Sequence, residues 1–203
     1  MQFSLEKEKQ RTINSYNDNA VKIAKRFEKI GISKEGIDKS FSFIKTKAPK
    51  VFEIGCGNGR DAMEIIKHTI NYSGIDASNK FIEFAKSNCP DGNFSVARIE
   101  KLDFPEKTDI IFAFASLLHI NDRSLSQIMK KAYQSLNPNG LFCISLKMRD
   151  YHKETKNDEF GKRTFFHHSP EEIKKFKKLG FNEAYFNFQK IPSGKGFIII
   201  LQK

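Results

Sequence analysis

The sequence predicts an α/β protein built around a sheet of mostly parallel strands. Between residues 51 and 146, short apolar runs of strand length alternate with stretches of helical periodicity, which is the pattern of a parallel sheet. Residues 109–114 are apolar after the first position, and such a run predicts a central strand that is buried on both faces. Residues 183–188 and 196–201 form two further predicted strands joined by a short link, so they should pair as an antiparallel hairpin.

The predicted elements follow one another in a regular order. Residues 1–48 have apolar residues at helical spacing, which predicts two amphipathic helices, the second ended by Pro49. Residues 149–164 are polar and aperiodic, and Ser169 then starts a capped helix. We therefore expect an N-terminal helical cap over residues 1–48 and one globular domain over residues 49–203. The predicted strands before residue 149 are 50–54, 72–76, 93–97, 109–114 and 141–146, with helices at 61–68, after Ser78 and at 124–136.

Charge and cysteine content narrow the function classes. The chain has 203 residues and a net charge of +11, which favours anionic partners. The lysines are spread along the whole chain, so a generally basic surface is favoured over a clustered nucleic-acid patch. Three cysteines without a Cys-x-x-Cys pair argue against a disulfide framework and a structural zinc site. The N-terminus lacks the apolar core of a signal peptide and no run approaches a membrane span, so we expect a cytoplasmic protein.

Three glycines after the first predicted strand carry the strongest chemical signal. Gly55, Gly57 and Gly59 lie between a strand and a helix, where bare backbone lets a ligand approach the main chain closely. A dinucleotide fingerprint would place the third glycine at position 60, but that position is Arg60. Glu53, before the first glycine, would oppose a pyrophosphate and suits a cationic group. The pattern therefore favours a cationic ligand without phosphate over a nicotinamide dinucleotide.

An acidic residue closes the second predicted strand. Asp76 follows Gly55 by about 20 residues, which is the spacing at which related folds hold a carboxylate against ribose hydroxyls. Taken alone, Asp76 could equally be a helix-capping or loop residue. After this glycine turn and at this spacing, ribose binding is the better interpretation.

Residues 51–146 resemble the core of the class I S-adenosylmethionine-dependent methyltransferases. The resemblance is carried by the glycine turn, Asp76, the strand start at residues 108–111, the segment 117–119 and the turn at residues 136–140, in that order. It implies a Rossmann-like three-layer sandwich with a seven-stranded, mostly parallel sheet and a C-terminal antiparallel hairpin. It also implies S-adenosyl-L-methionine as the cofactor, which carries a sulfonium and an ammonium group and no phosphate.

The resemblance also implies which residues hold the cofactor. They are Glu53, Gly55 and Gly57 for the methionine end, Asp76 for the ribose, Ala77, Arg98 and Ile99 for the adenine, and Ala115 for backbone near the amino-acid part. Arg98 departs from the family, which often has an acid there to accept a hydrogen bond from the adenine amine, as arginine cannot. Either Glu100 takes that role, or Arg98 stacks on the ring, or the alignment is displaced by a residue or two.

Two residues are candidates for catalysis. His119 lies just beyond the fourth predicted strand, at the edge where α/β sheets place ligands, and it is the candidate general base. Packing alone would also explain a histidine there. Tyr16 belongs to a segment that resembles the N-terminal cap helix of the family and would lie over the cofactor; a partly buried tyrosine on an amphipathic helix is the alternative. Methyl transfer from a sulfonium needs mainly orientation, so no protein nucleophile is required.

The adjacent histidines His167 and His168 do not predict a metal site. Neighbours in an extended stretch point in opposite directions, and no further His or Cys ligand is expected nearby. We therefore expect no metal ion. We expect Phe165, His167 and Tyr151 to line the acceptor pocket instead, because variable loops carry specificity on a rigid scaffold.

The acceptor is less well defined than the cofactor. A small molecule is favoured because the cap has enough residues to close a pocket. RNA, DNA or protein is the alternative, drawn by the +11 charge, although residues 115–118 lack the Asn-Pro-Pro-Tyr segment of amino-methylating DNA enzymes. The intact glycine turn disfavours a non-catalytic cofactor-binding protein, and the glycine spacing disfavours a nicotinamide-dependent oxidoreductase. The sequence indicates neither the accepting atom (nitrogen, oxygen or sulfur) nor the oligomeric state.

Overall fold

In the computed structural model, which describes residues 2–192 and 194–203, three helices precede the first strand. The helices are α1 (Gln2–Asp18), α2 (Ala20–Ile30), α3 (Lys34–Phe43), α4 (Ala62–Ile65), α5 (Asn79–Asn88), α6 (Asp122–Ser135) and α7 (Pro170–Lys174). The strands are β1 (Val51–Ile54), β2 (Tyr72–Asp76), β3 (Asn93–Val96), β4 (Thr108–Phe114), β5 (Leu136–Lys147), β6 (His152–Asp158), β7 (Gly161–His167), β8 (Asn182–Ile191) and β9 (Gly194–Gln202). Among the described residues, none of the helices combines the length and apolar character that crossing a bilayer requires.

A seven-stranded sheet forms the centre of the fold, in the order β3-β2-β1-β4-β5-β9-β8. The first five strands of that order pair in parallel, and β9 pairs antiparallel with both β5 and β8. This confirms the predicted fold class, with its mostly parallel sheet and its C-terminal hairpin. The chain order reverses between β1 and β4, and a crevice forms at such a switch point, outside the carboxyl ends of the strands.

Strand β4 lies inside the sheet and is buried on both faces. Ile111 and Ala113 belong to the apolar core on one face. Ile110, Phe112 and Phe114 belong to the core on the other face. This alternation follows from the two-residue period of a strand and explains why the run is apolar at successive positions. The buried parallel strand predicted from this run is therefore confirmed.

The N-terminal segment forms three helices instead of the two predicted. Helix α3 ends at Phe43 and not at Pro49. Closer to the proline, Thr69 donates to the Pro49 carbonyl and Asn71 to the Ala48 carbonyl. Helix α1 packs on β7 and α5, whereas α3 packs on β5 and β9. The segment therefore contributes to a layer on the sheet as well as to a cap, and a domain boundary after residue 48 stays a prediction.

Residues 149–164, in which the sequence predicts no regular element, contribute most of a two-stranded antiparallel sheet. Strands β6 and β7 pair along their whole length and form a sheet of their own. In the turn between them, the Asp158 carboxylate accepts a hydrogen bond from the Phe160 N–H at 3.0 Å, and Gly161 has a positive φ of 85°. The hairpin escapes sequence prediction because β6 is polar at every position, so no alternation of apolar and polar residues signals it.

Gly59 and Gly31 offer a matched test of how the glycine turn packs. Both have a positive φ, 79° and 81°, so a side chain strains the backbone at either position. A Cβ at Gly59 would lie 3.1 Å from the Cα of Ala85 in α5, whereas a Cβ at Gly31 meets no atom within 4 Å. We expect Gly59→Ala to lower the free energy of unfolding by about 1 kcal/mol more than Gly31→Ala. Urea denaturation measures both losses, and equal losses would show that α5 yields to the added methyl group.

Candidate active site

The predicted glycine turn lies at the carboxyl end of β1, beside the end of β4. Gly55 and Gly57 have positive φ values of 73° and 54°, which glycine adopts at little cost. A Cβ at Gly55 would lie 2.3 Å from the Cβ of Ser116, so no larger residue fits between the two loops. The turn leads into α4, which is shorter than the helix predicted for residues 61–68. Bare backbone is therefore present at the switch point of the sheet.

A cleft opens at this turn and is covered by α1. The space between its walls amounts to about 980 Å³, part of which is open to solvent. Nine predicted positions line it: Tyr16, Gly55, Gly57, Asp76, Ala77, Arg98, Ile99, Ala115 and His119. One face of α1 lines it with Leu5, Glu8, Lys9, Thr12, Ile13 and Tyr16. Their spacing of three and four residues is that of a single helix face, which the N-terminal sequence pattern did not single out.

Two backbone hydrogen bonds hold the carboxylate of Asp76 at the end of β2. One oxygen accepts from the Gly57 N–H at 3.1 Å and the other from the Ser78 N–H at 2.8 Å. Each oxygen keeps a further lone pair for a ligand hydroxyl. Burial raises the pKa of Asp76 to about 6, against the opposing effect of these N–H groups. The carboxyl group is therefore ionised at neutral pH and takes up its proton close to pH 6.

Glu53 is buried beneath the turn and does not line the cleft. Its side chain, which is 1% exposed, accepts a hydrogen bond from the Tyr72 hydroxyl at 2.5 Å. Burial, followed by the charge of Asp61, raises the pKa of Glu53 to about 8. Without a ligand the group holds its proton at neutral pH, so the charge argument for Glu53 applies only once a cation lies nearby. Its contact with the cofactor stays a prediction.

The two residues whose role toward the adenine ring the sequence left open form ion pairs with residues of α1. Arg98 pairs with Glu6, and Glu100 pairs with Lys9. The partners are 92 and 91 residues apart in the chain, which is why the sequence gives no sign of them. Ile99 is buried between the two pairs. The adenine contacts of Arg98 and Ile99 stay predictions.

His119 and Tyr16 form a hydrogen-bonded pair in the cleft. The imidazole Nδ1 lies 2.6 Å from the Thr164 carbonyl oxygen, and Nε2 lies 2.8 Å from the Tyr16 hydroxyl. A carbonyl can only accept, so Nδ1 carries the ring proton and Nε2 accepts from Tyr16. Burial lowers the pKa of His119 to about 4 and raises the pKa of Tyr16 to about 12. His119 is therefore a neutral imidazole whose lone pair faces the Tyr16 hydroxyl.

Thr12 and Thr164 are site residues that the sequence does not single out. The Thr164 N–H donates to the Thr12 hydroxyl at 3.0 Å, which ties β7 to α1, while the Thr164 carbonyl orients His119. Lys153 of β6 pairs with Glu8 of α1 at 2.7 Å. These contacts join segments that are far apart in the chain, and a threonine in a polar segment gives no signal of them.

The β6–β7 hairpin forms a wall beside His119. The ring centroids of Phe165 and His119 lie 4.8 Å apart, although Phe165 is not among the residues that line the cleft. His167 Nε2 lies 2.8 Å from the Glu154 carboxylate, and Tyr151 is 40% exposed. That Phe165, His167 and Tyr151 line an acceptor pocket stays a prediction.

The hairpin also gives His167 neighbours that the sequence does not indicate. Pairing of β6 with β7 places His152 opposite His167, and ligand atoms of His152, Glu154 and His167 all lie within 4.8 Å of one another. His168 points elsewhere, with Nε2 at 2.9 Å from the Ile120 carbonyl, in line with the alternation of a strand. The expectation that no further ligand lies near His167 is therefore wrong, because it overlooked cross-strand pairing.

Comparison with known protein sequences points to one family. A family model described as a methyltransferase domain matches residues 51–140. The chain is 29% identical over 152 residues to a malonyl-[acyl-carrier protein] O-methyltransferase of Calditerrivibrio nitroreducens, covering 74% of this chain and 52% of that protein. It is 31% identical over 120 residues to a ubiquinone biosynthesis O-methyltransferase of Pelagibacter ubique, covering 55% of this chain and 49% of that protein. The chain thus spans about half the length of these relatives.

Solved structures share the fold. A SAM-dependent methyltransferase of Methanosarcina mazei superposes with a TM-score of 0.68 at 18% identity, covering 80% of this chain and 95% of that chain. The magnesium protoporphyrin IX methyltransferase of Synechocystis, solved with bound SAM, superposes with a TM-score of 0.67 at 14% identity. The match covers 84% of this chain and 77% of that chain. At these identities the likeness concerns the fold alone.

Strand order, glycine turn and cleft together define an α/β protein with the class I methyltransferase fold. Residues 51–140 match a methyltransferase domain, and the chain has the fold of the S-adenosylmethionine-dependent methyltransferases among the solved structures. This confirms the family that residues 51–146 were expected to resemble.

The hydrogen bonds of His119 predict a fixed tautomer. Nitrogen NMR should show a neutral ring with its proton on Nδ1 from neutral pH down to about pH 5, because its pKa lies near 4. Tyr16→Phe should leave the proton on Nδ1, since Thr164 still accepts it. The ring nitrogen signals that disappear in His119→Gln are those of His119. A ring that gains a second proton near the ordinary histidine pKa of about 6.5 would contradict a neutral His119.

Proposed function

We propose that the protein is an enzyme that transfers a methyl group from S-adenosyl-L-methionine to an oxygen atom of a small-molecule acceptor. The observation that carries the proposal is that the glycine turn, Asp76 and the Tyr16–His119 pair line one cleft. A site suited to an adenosyl cofactor and a group able to take a proton therefore share one space. Two of the sequence relatives are named as O-methyltransferases, which supports oxygen as the accepting atom.

The residues of the cleft fit this cofactor. When bound, S-adenosylmethionine supplies a methyl group on a positively charged sulfur, activated for direct transfer. Asp76 would accept hydrogen bonds from the ribose hydroxyls, and the bare backbone at Gly55 and Gly57 would admit the amino-acid end. The Ser116 hydroxyl lines the cleft and is buried without a hydrogen-bond partner among the described residues, so it is a further polar group open to a ligand.

Helix α1 would cover the bound cofactor and keep water away from the reacting atoms. Ala77, Arg98 and Ile99 would border the adenine, and the backbone at Ala115 would lie near the amino-acid part. A closed, apolar cleft strengthens the hydrogen bonds inside it and positions the acceptor. A cover of this kind suits an acceptor small enough to lie beneath α1, which supports a small molecule over RNA, DNA or protein.

His119 would take the proton that the acceptor loses. Its Nε2 carries no proton, and the Thr164 carbonyl holds the ring in place through Nδ1. The proton of the acceptor hydroxyl would pass to Nε2, directly or through the Tyr16 hydroxyl, as the hydroxyl oxygen takes the methyl group and the sulfonium is left as the neutral thioether. With a pKa near 4, His119 is a weak base, so it takes the proton only as the transfer proceeds.

Cofactor binding tests the first half of this proposal. In titration calorimetry we expect S-adenosylhomocysteine to bind and NAD not to bind. Asp76→Asn should weaken the binding of S-adenosylhomocysteine by at least about 1 kcal/mol, or roughly fivefold, because the ribose loses a charged partner. Asp91→Asn, at an exposed aspartate, is the matched control. Preference for NAD, or full affinity in Asp76→Asn, would remove Asp76 from a cofactor site.

The raised pKa of Asp76 gives this binding a pH dependence. Protonation removes the negative charge, so affinity for S-adenosylhomocysteine should fall as the pH is lowered through about 6. Asp76→Asn cannot protonate there and should lack this part of the pH dependence. A fall of equal size in both proteins would point to another titrating group.

Turnover with an oxygen acceptor tests the role of His119. His119→Gln should lower kcat by about 100-fold or more, because the amide cannot take a proton, and its affinity for S-adenosylhomocysteine should stay close to that of the wild type. His68→Gln, at an exposed histidine, is the control for kcat. Transfer of a labelled methyl group gives the rate, and an unchanged kcat would limit His119 to packing.

A further inference from the structure

One face of the β6–β7 hairpin places basic side chains beside His119. Residues two apart on a strand share a face, and paired residues of neighbouring strands lie side by side. Arg163 and Phe165 of β7 therefore share a face with their partners on β6, Lys156 and Glu154. Phe165 packs against His119, so this face borders the proposed site of methyl transfer.

Phe165 connects His119 with two of these cations. Its ring centroid lies 4.8 Å from that of His119, 5.7 Å from Nζ of Lys156 and 5.3 Å from Cζ of Arg163. The two cations therefore lie about one aromatic ring away from the proposed proton acceptor. Phe165 thus lies between His119 and these two positive charges.

Lys147 brings a third cation to the same region. It ends β5, whose carboxyl end lies beside that of β4. Burial lowers the pKa of Lys147, and the charges of Arg149 and Lys156 lower it further. Glu154 opposes this effect, but it already contacts Arg149 at 3.9 Å and Lys156 at 3.5 Å. Lys147 itself has no ion pair within the described part of the chain.

Cations outnumber carboxylates on this surface, which we call the basic wall. It consists of Arg26, Lys147, Arg149, Lys156 and Arg163, with Glu154 and Asp158 as the opposing charges. Arg163 is 5% exposed and contacts Asp158 at 2.7 Å, yet its Nε has no hydrogen-bond partner among the described residues. A buried donor without a partner is costly, so the wall retains both charge and a donor for an anion.

We propose that the methyl acceptor carries an anionic group, a carboxylate or a phosphate, which Lys147, Lys156 and Arg163 bind beside His119. This inference rests on the proposed methyl transfer. Phe165 separates the cations from His119. The anionic group therefore anchors the acceptor, and the oxygen atom that is methylated belongs to a different group of the acceptor. The aromatic ring between them suits an apolar or aromatic body. The acceptor is thus a small anionic molecule that carries a hydroxyl.

Two other ligands compete for this region. The carboxylate of the cofactor is itself an anion and would lie near the glycine turn. A divalent cation would use His152, Glu154 and His167. The contacts of Arg149 and Lys156 with Glu154 oppose a dication, because like charges repel, and they favour an anion instead.

A pair of fluorescent probes tests for the anion directly. 8-Anilinonaphthalene-1-sulfonate is aromatic and anionic, and N-phenyl-1-naphthylamine has the same rings without the sulfonate. Both affinities are measured on protein saturated with S-adenosylhomocysteine. The double variant Lys147→Met/Lys156→Met should have an affinity for the anionic probe that is lower by at least about tenfold, and an affinity for the neutral probe that is lower by less than about twofold. Methionine keeps an apolar stem and removes the charge. The control is Lys175→Met/Lys178→Met, at two exposed lysines after α7, which should leave both affinities unchanged.

Retained affinity for the neutral probe shows that the double variant is folded. An anionic probe that binds the double variant as well as it binds the wild type overturns the proposal. Calorimetry with S-adenosylhomocysteine on the same variant should give an affinity within about twofold of the wild type. A loss as large as that of the anionic probe would assign the lysines to the carboxylate of the cofactor, and it would also overturn the proposal.

Two further experiments distinguish an anion site from a metal site and from a failure of the proposed function: probe binding with added Zn²⁺, and probe binding to the unliganded protein. Binding of the anionic probe that requires added Zn²⁺ and is lost in His152→Ala, but not in the lysine variant, would replace the anion site by a metal site. If the wild-type protein does not bind S-adenosylhomocysteine, the proposed function fails by itself. Titration of the two probes into the unliganded protein then still decides whether the basic wall binds an anion.

Discussion

The site depends on the close approach of the two loops that follow β1 and β4. A Cβ added at Gly55 would lie only 2.3 Å from the Cβ of Ser116. No residue with a side chain is therefore compatible with the observed position of Gly55. That approach brings the glycine turn to the same cleft as Ala115 and His119. Because the carboxyl ends of parallel strands share one edge, Asp76 at the end of β2 reaches this cleft as well. A backbone constraint at one glycine thus assembles groups from three strands.

Two elements outside the main sheet complete the cleft. Helix α1 supplies Tyr16, and the β6–β7 hairpin supplies the carbonyl of Thr164 that sets the tautomer of His119. A buried hydrogen bond from the Thr164 N–H to Thr12 joins the two elements. The ion pair of Lys153 with Glu8 is partly exposed, and such pairs contribute at most about 1 kcal/mol. Buried backbone groups, more than surface charges, therefore hold Tyr16 and His119 in place.

The parts of the fold that depend on local patterns are predictable from the sequence. Burial on both faces makes β4 apolar at successive positions, and spacing along the chain relates Asp76 to the glycine turn. The β6–β7 hairpin is not predictable in this way, because β6 has no apolar face and the hairpin packs on α1. Contacts such as Arg98 with Glu6 join residues 92 positions apart, and one sequence carries no signal of them. The raised pKa of Glu53 likewise depends on its burial and on the nearby charge of Asp61, which its place before the glycines does not reveal.

A crystal structure with bound S-adenosylhomocysteine tests most directly whether these groups form one methyl-transfer site. We predict a ribose hydroxyl within about 3 Å of the Asp76 carboxylate and a sulfur atom that faces the space between Tyr16, His119 and Phe165. A ligand bound outside the cleft beneath α1, or a sulfur atom that points away from His119, would contradict this assignment.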